Sequence, residues 1–349
     1  MVNLANVNDA LRGILDPELK TSLLELGMIR DLNVDDGQVT MSLALTTSRC
    51  PHKDELVRLI KDNIKALQGV ADVDVHLVTM SKEDVLQLFP RHPLAGLSKV
   101  RHILAVASGK GGVGKTTIAV NTALALAAEG YRVGLLDADV YGPSVPVMLA
   151  LKETPESENS LLLPVEKYGL NVMSLGMMVN GEEAFIWRGP MVGKAIRQLL
   201  DQVLWGELDY LVVDLPPGTG DPSITIAQSI VPKASVLLVT TPQEVALADV
   251  RRAVGLFRKF DLNILGLVEN MSYFICGHNA EPIQIFGQGG GERLSKELSL
   301  PLMGTIPIEL KIRESGDSGI PLMVSASESE AKQIFKNISR RIVEGFAEN

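Results

Sequence analysis

Two kinds of hydrophobic pattern divide this chain. Over residues 1–80 the apolar positions switch between helical and strand spacing. Val7, Leu11, Ile14 and Leu15 recur at the period of a helix with one buried face, and Val39 to Leu45 (VTMSLAL) alternates like a half-buried strand. Leu56, Leu59, Ile60, Ile64 and Leu67 mark a second helix, and Val73, Val75 and Leu77 a second strand. Asp35-Asp36-Gly37 between apolar runs predicts a hairpin turn, since Asp-Gly tolerates the positive φ that such turns need. Two prolines and a glycine in Pro90-Arg91-His92-Pro93-Leu94-Ala95-Gly96 then break the periodicity. That places a linker at 90–99 between a small α+β domain (1–89) and a larger domain (100–349).

From Val100 onward short, nearly continuous apolar runs alternate with helical patterns. The runs are ILAVAS (103–108), VGLLDAD (133–139), YLVVDL (210–215), SVLLVTT (235–241) and NILGLVEN (263–270). Strands buried on both faces read this way, so the expectation is an α/β fold with a mostly parallel sheet covered by helices on both faces. Such sheets bind ligands beyond the carboxyl ends of their strands. Ile334, Phe335, Ile338, Ile342 and Phe346 form a last apolar stripe over 331–346. The polar side of that helix mixes Lys, Arg and Glu, and the expectation is packing against the protein's own sheet rather than attachment to a membrane.

Composition narrows the function classes. An apolar fraction of 46% with 21% charged residues describes a globular chain, and 349 residues leave room for two domains. A net charge of −9 argues against a sequence-independent grip on nucleic acid, which needs a Lys/Arg surface to displace counterions. Two cysteines, Cys50 and Cys276, are too few for a disulfide framework and fit a reducing compartment. MVNLANVNDALRG does not read as a signal peptide, and no run reaches the ~18 apolar residues of a membrane span. The expectation is a cytoplasmic protein without a membrane or nucleic-acid partner.

The chemistry sits at the strand ends. Gly109-Lys110-Gly111-Gly112-Val113-Gly114-Lys115-Thr116 fits GxxxxGK[ST] between a buried strand and an apolar helix, the context a phosphate-binding P-loop requires. Glycines let backbone N–H groups turn inward onto phosphate oxygens, and the following helix aims its positive end at the same charge. Lys115 is expected to reach the β- and γ-phosphates of ATP, and the Thr116 hydroxyl to bind Mg²⁺. Asp137 and Asp139 end the next strand run; one division of labour has Asp139 positioning the attacking water and Asp137 supporting the magnesium shell. Asp214 closes YLVVDL like a Walker-B carboxylate, and Pro216 to Asp221 (PPGTGD) reads as a loop that senses the γ-phosphate.

With these motifs the chain closely resembles the Mrp/ApbC iron–sulfur cluster carrier ATPases, within the MinD/ParA group of deviant-Walker P-loop proteins. The resemblance runs through SGKGGVGKTT (108–117), LLDADVYGPSVPVM (135–148), VVDLPPGTGD (212–221), VTTPQEVALADVRR (239–252), VENMSYF (268–274), IFGQGGGERL (285–294) and GTIPIELKIRESGDSGIPL (304–322). ILDPEL (14–19), LGMI (26–29) and TTSRCP (46–51) look like the small domain of iron–sulfur assembly factors. The resemblance implies a slow ATPase that carries clusters to apoprotein clients, works with assembly factors and forms a homodimer. Lys110 matches the lysine that crosses to the partner's phosphates, and Asn270 the residue that contacts adenine, with Pro242 and Gln243 nearby. The nucleotide site then comprises Gly109 to Thr117, Thr117 included, with Asn270. The alternative is a MinD/ParA-like positioning ATPase, switched by nucleotide and carrying no cluster.

One departure bears on the cargo. The family carries Cys-x-x-Cys after the NMSYF segment, whereas this chain reads Cys276-Gly277-His278-Asn279. Asn279 is not a cluster ligand, because the soft iron–sulfur core takes thiolates or, less often, imidazoles. Three arrangements stay open: Cys276 with His278 from each subunit, Cys276 with Cys50 from each subunit, or no stable cluster at all.

Overall fold

In the computed structural model the chain divides into two compact units, Met1–His92 and Pro93–Asn349. The structure describes residues 2–17, 21–45, 53–80, 84, 95–158, 161–178, 189–230, 233–276, 281–326 and 328–347, with backbone alone at 95, 189–194 and 221.

The first unit opens with α1 (Leu4–Arg12), whose start is fixed by a reciprocal cap: Asn3 Oδ1 accepts from Asn6 N at 3.0 Å and Asn6 Oδ1 from Asn3 N at 3.3 Å. Strands β1 (Ile29–Asp35) and β2 (Gln38–Leu45) pair antiparallel across Asp36-Gly37, both at positive φ, as the Asp-Gly signal required. Helix α2 (Lys53–Lys65) then carries the chain to β3 (Asp72–Thr79), which lies parallel to β2. Val7 and Leu11 of α1 share one buried core with Leu56, Ile60 and Ile64 of α2 and with Met41 and Leu43 of the sheet.

The second unit begins with β4 (Val100–Ser108), α3 (Lys115–Ala128), β5 (Val133–Asp137) and the short α4 (Val145–Met148). A small antiparallel pair, β6 (Ser157–Glu158) and β7 (Leu161–Leu162), precedes β8 (Val165–Lys167), β9 (Leu170–Ser174) and α5 (Gly189–Asp201). Next come β10 (Leu208–Asp214), α6 (Asp221–Ile230), β11 (Ala234–Thr240), α7 (Glu244–Lys259) and β12 (Asn263–Glu269). A second small pair, β13 (Phe274–Ile275) and β14 (Pro282–Ile283), leads to α8 (Gly290–Leu298), β15 (Leu302–Thr305), α9 (Leu310–Ser318) and α10 (Glu330–Ala347).

Eight of these strands form one sheet in the order β15-β12-β11-β4-β10-β5-β9-β8, parallel throughout except for the antiparallel β8–β9 edge. Its strands are apolar at nearly every position because alternate side chains enter different cores. Ile103, Ala105 and Ala107 of β4 join Leu199, Ile226, Val250, Phe257 and Leu294 from α5 to α8. Leu104 and Val106 join Ile118 and Ala123 of α3 and Phe335, Ile338 and Ile342 of α10. The C-terminal apolar stripe is therefore buried within the protein, against α3 and β15. Among the described residues no helix is long and apolar enough to cross a membrane.

This strand order positions the site. From β4 the chain passes to β5 and leaves the place between them for β10, while β11 pairs on the other side of β4. Beyond the carboxyl end of β4 the connections diverge, which opens the crevice where parallel sheets receive ligands.

Candidate nucleotide site

The loop from Gly109 to Gly114 fills that crevice between the end of β4 and the start of α3. Gly112 and Gly114 stand at φ 81° and 83°, the left-handed backbone that turns successive N–H groups towards one point. Gly109 answers a packing need instead: a Cβ there would lie 2.6 Å from the backbone nitrogen of Val250 in α7. Lys110 is half-buried, and its carbonyl accepts from Ser108 Oγ at 2.9 Å. Thr117 continues the first turn of α3 and its carbonyl accepts from Asn121 Nδ2 at 2.9 Å.

Asp214 gathers the polar end of this loop. It ends β10, is fully buried, and stands in register with Val106 of β4 on one side and Asp137 of β5 on the other. Lys115 Nζ donates to Asp214 Oδ1 at 2.5 Å, and Thr116 Oγ1 donates to Asp214 Oδ2 at 2.7 Å. The carboxylate of Asp139 lies 3.9 Å from the same ammonium and keeps 14% of its side chain exposed.

Asp137 works mainly on its own loop. Its Oδ1 accepts from the backbone N–H of Asp139 at 3.2 Å; its Oδ2 accepts from that of Val145 at 3.2 Å and from Ser174 Oγ at 3.1 Å. The carboxylate thus fastens both ends of segment 139–145. Burial first, and the neighbouring Asp214 second, raise its pKa to about 7. Burial also raises Asp214, against the lowering effect of Lys115. The 216–221 loop is tied down in the same manner: Gly218 N donates to Ser108 O at 2.9 Å, and the buried Ser223 hydroxyl reaches the carbonyls of Pro216 (3.2 Å) and Gly218 (3.1 Å).

Asn270 approaches from the opposite side. It follows β12, its N–H donates to Thr240 O at 2.8 Å, and its Nδ2 donates to Val113 O of the glycine loop, also at 2.8 Å. Pro242 and Gln243 lie just before α7, where Gln243 Oε1 accepts from Thr241 Oγ1 at 3.4 Å. The structure therefore brings Gly109 to Thr117, Asp137, Asp139, Asp214 and Asn270 to one end of the sheet. Cys276 follows β13 as a free, partly exposed thiol beside the exposed Ile275. Cys50, His278 and Asn279 lie outside the described residues. Ser174, Ser223 and Glu269 received no role from the sequence. Ser174 ends a five-residue strand that periodicity did not single out, and Ser223 and Glu269 look like an ordinary helix residue and an ordinary strand end until their partners are seen.

The donor set suits a small hard cation. Thr116, Asp214 and Asp137 offer only oxygen, and two buried carboxylates outnumber the one buried lysine. Magnesium takes few protein ligands together with substrate phosphates, and one hydroxyl with two carboxylates is a donor set of that size.

Backbone amides at a helix start, one lysine, one hydroxyl and a strand-end aspartate are the parts of a phosphate site, and in a parallel sheet of this order they define a P-loop NTPase. Comparison with known proteins carries the assignment further. A family described as the NUBPL iron-transfer P-loop NTPase matches residues 99–343, and one described as iron-sulfur cluster assembly protein matches residues 4–77. The chain belongs to the NUBPL iron-transfer P-loop NTPase family. It is 45% identical over 340 residues to the iron-sulfur cluster carrier protein of Synechocystis, covering 95% of this chain and 94% of that one. With the carrier protein of Escherichia coli K12 it shares 46% over 340 residues, 97% of this chain and 91% of the other. Among solved structures, a nucleotide-binding protein of Archaeoglobus fulgidus in complex with ADP superposes with a TM-score of 0.60 at 36% identity, covering 68% of this chain and 93% of that chain. The cell-division ATPase MinD of Pyrococcus furiosus shares the fold, with a TM-score of 0.53 at 24% identity over 70% of this chain and 99% of that chain.

Proposed function

We propose that this chain is a slow, magnesium-dependent ATPase that works as a homodimer in the cytoplasm and carries iron–sulfur clusters to apoprotein clients. The observation that carries this reading is the Lys115–Thr116–Asp214 contact at the glycine loop, in a chain that matches curated cluster carriers along 95% of its length.

The mechanism follows from the residues. Backbone N–H groups of 109–114 cradle the phosphates, and Lys115 exchanges Asp214 for the β- and γ-oxygens. Thr116 and Asp214 would hold magnesium, and Asp137 would support that shell from across the β10–β5 pair while keeping segment 139–145 in place. When bound, magnesium neutralises the charge that builds on the bridging phosphate oxygens. Asp139, beside Lys115 and partly open to solvent, orients the attacking water. Lys110 of each copy reaches the phosphates held by the other, and Asn270 contacts the adenine. Cluster is cargo, received and released by ligand exchange at Cys276 thiolates, with Cys50 as the second candidate ligand.

The buried face of α10 counts against the positioning alternative, since that helix has no apolar side left to anchor. Phosphate release from MgATP by the wild type and by Lys115→Ala tests the reading. Slow turnover that the substitution abolishes supports it, and equal turnover in both proteins contradicts it.

A further inference from the structure

Glu269 closes β12 as a buried carboxylate, 2% exposed, and the mechanism above gives it no part. Its Oε1 accepts from Ser272 Oγ at 2.5 Å and its Oε2 from the backbone N–H of Gly291 at 2.5 Å. Its own carbonyl accepts from Ile306 N at 2.8 Å. Three separate segments therefore meet on one residue. Gly291 lies in the first turn of α8, so the positive end of that helix meets the buried charge.

The glycines of IFGQGGG acquire a reason from this contact. A Cβ on Gly291 would sit 3.0 Å from Glu269 Cβ, and one on Gly290 would sit 2.5 Å from Pro242 O. Only bare backbone allows the loop to rest on both residues at once. The next residue after Glu269 is Asn270, whose side chain is aimed at Val113 O of the phosphate loop. Glu269, on one side of Asn270, is thereby anchored to Gly291 and Ile306, and Ser272, on the other side, is tied back to Glu269.

We propose that Glu269 is a positioning residue for the nucleotide base, setting the preference for adenine over guanine through Asn270. The inference rests on the nucleotide-site reading above. With one N–H given to Val113 O, the Asn270 amide keeps its Oδ1 and a second N–H. Adenine offers an amino donor beside a ring-nitrogen acceptor, which complements that pair; guanine places a carbonyl where adenine has the amino group. A site built to pair with one base leaves polar groups unmatched with the other, so a loosened amide costs selectivity more than turnover.

The test is equilibrium titration of the full-length protein with fluorescent ATP and GTP analogues, alongside steady-state turnover. Glu269→Ala is expected to weaken ATP binding about tenfold, through two lost hydrogen bonds to buried groups. The same variant narrows the ATP-to-GTP affinity ratio and raises KM while kcat stays within about twofold. Glu269→Gln restores binding to within about threefold, because its carbonyl still accepts from Gly291 N and its amide donates to Ser272 Oγ. If Glu269→Ala fails to fold, Ser272→Ala decides the matter: a smaller shift of the same ratio is expected, and an unchanged ratio overturns the proposal. A folded Glu269→Ala with wild-type affinity and selectivity overturns it too, and leaves the nucleotide site standing. A wild type that binds neither nucleotide removes both readings together.

Discussion

At the scale of single residues the site is two buried acids, Asp137 and Asp214, around one buried lysine, Lys115. Lys115 is buried beside Asp214 and Asp139, and truncating it removes the phosphate partner while leaving two carboxylates unneutralised. Lys115→Ala is therefore expected to weaken ATP binding on the order of 100-fold, as measured by titration with a fluorescent analogue; unaltered affinity would show that the phosphates lie elsewhere. Asp137 gives a pH signature. Burial raises its pKa to about 7 in the folded chain from an ordinary 3.8, so across that interval the unfolded chain releases a proton that the folded chain keeps. The nucleotide-free protein thus loses stability as pH rises through this window, with no further loss from this group above it. In Asp137→Asn the slope of melting temperature against pH becomes shallower, and the raised Asp214 keeps the remainder. Identical slopes in the two proteins would mean that Asp137 carries no such burial cost. Most site residues were legible because a P-loop is a sequence motif as well as a geometry. Asp137's grip on Val145 and Ser174 was not, since a carboxylate's partners eight and thirty-seven residues away leave no local trace.

At the scale of elements, legibility followed burial. The five runs from ILAVAS to NILGLVEN were readable because they are buried on both faces, and their carboxyl ends carry the chemistry. Strands β8, β9 and β15 span three to five residues at or near the sheet's edges, too short for periodicity to distinguish from loop. The packing of α7 on the phosphate loop was likewise invisible in the sequence, because the glycine motif accounts for Gly109 by backbone freedom alone. Gly109→Ala would drive its Cβ into the backbone of Asp249 and Val250, displacing either α7 or the loop. The expected result is a loss of nucleotide affinity of at least about tenfold with the circular-dichroism spectrum retained, and a variant that binds normally would contradict this packing role. The C-terminal helix gives a second contrast. Phe335→Ala is expected to lower unfolding stability by about 3–5 kcal/mol in urea titration, and Asn337→Ala, exposed on the same helix, by no more than about 0.5 kcal/mol. Equal small effects would mean that α10 packs only loosely.

At the scale of the whole molecule, a thiol stands only six residues beyond Asn270, which lies at the sheet's carboxyl end. Lys110 lies half-buried at the loop of its own copy, and the proposed dimer gives it work on the other copy's phosphates. Lys110→Ala should then keep ATP affinity within about threefold while reducing turnover and ATP-dependent dimerisation, as followed by light scattering; intact turnover would place the residue outside the reaction. The cargo site was the least legible part, because Asn279 stands where the resemblance implies a second cysteine and local pattern says nothing of which thiols meet across copies. The most direct test of the central claim is anaerobic loading with iron and sulfide, followed by transfer to an apoprotein, for the wild type and Cys276→Ala with and without MgATP. The wild type is expected to take up a cluster and pass it on at a rate that MgATP changes, and Cys276→Ala to do neither. A wild type that hydrolyses ATP yet holds and transfers no cluster would contradict that claim.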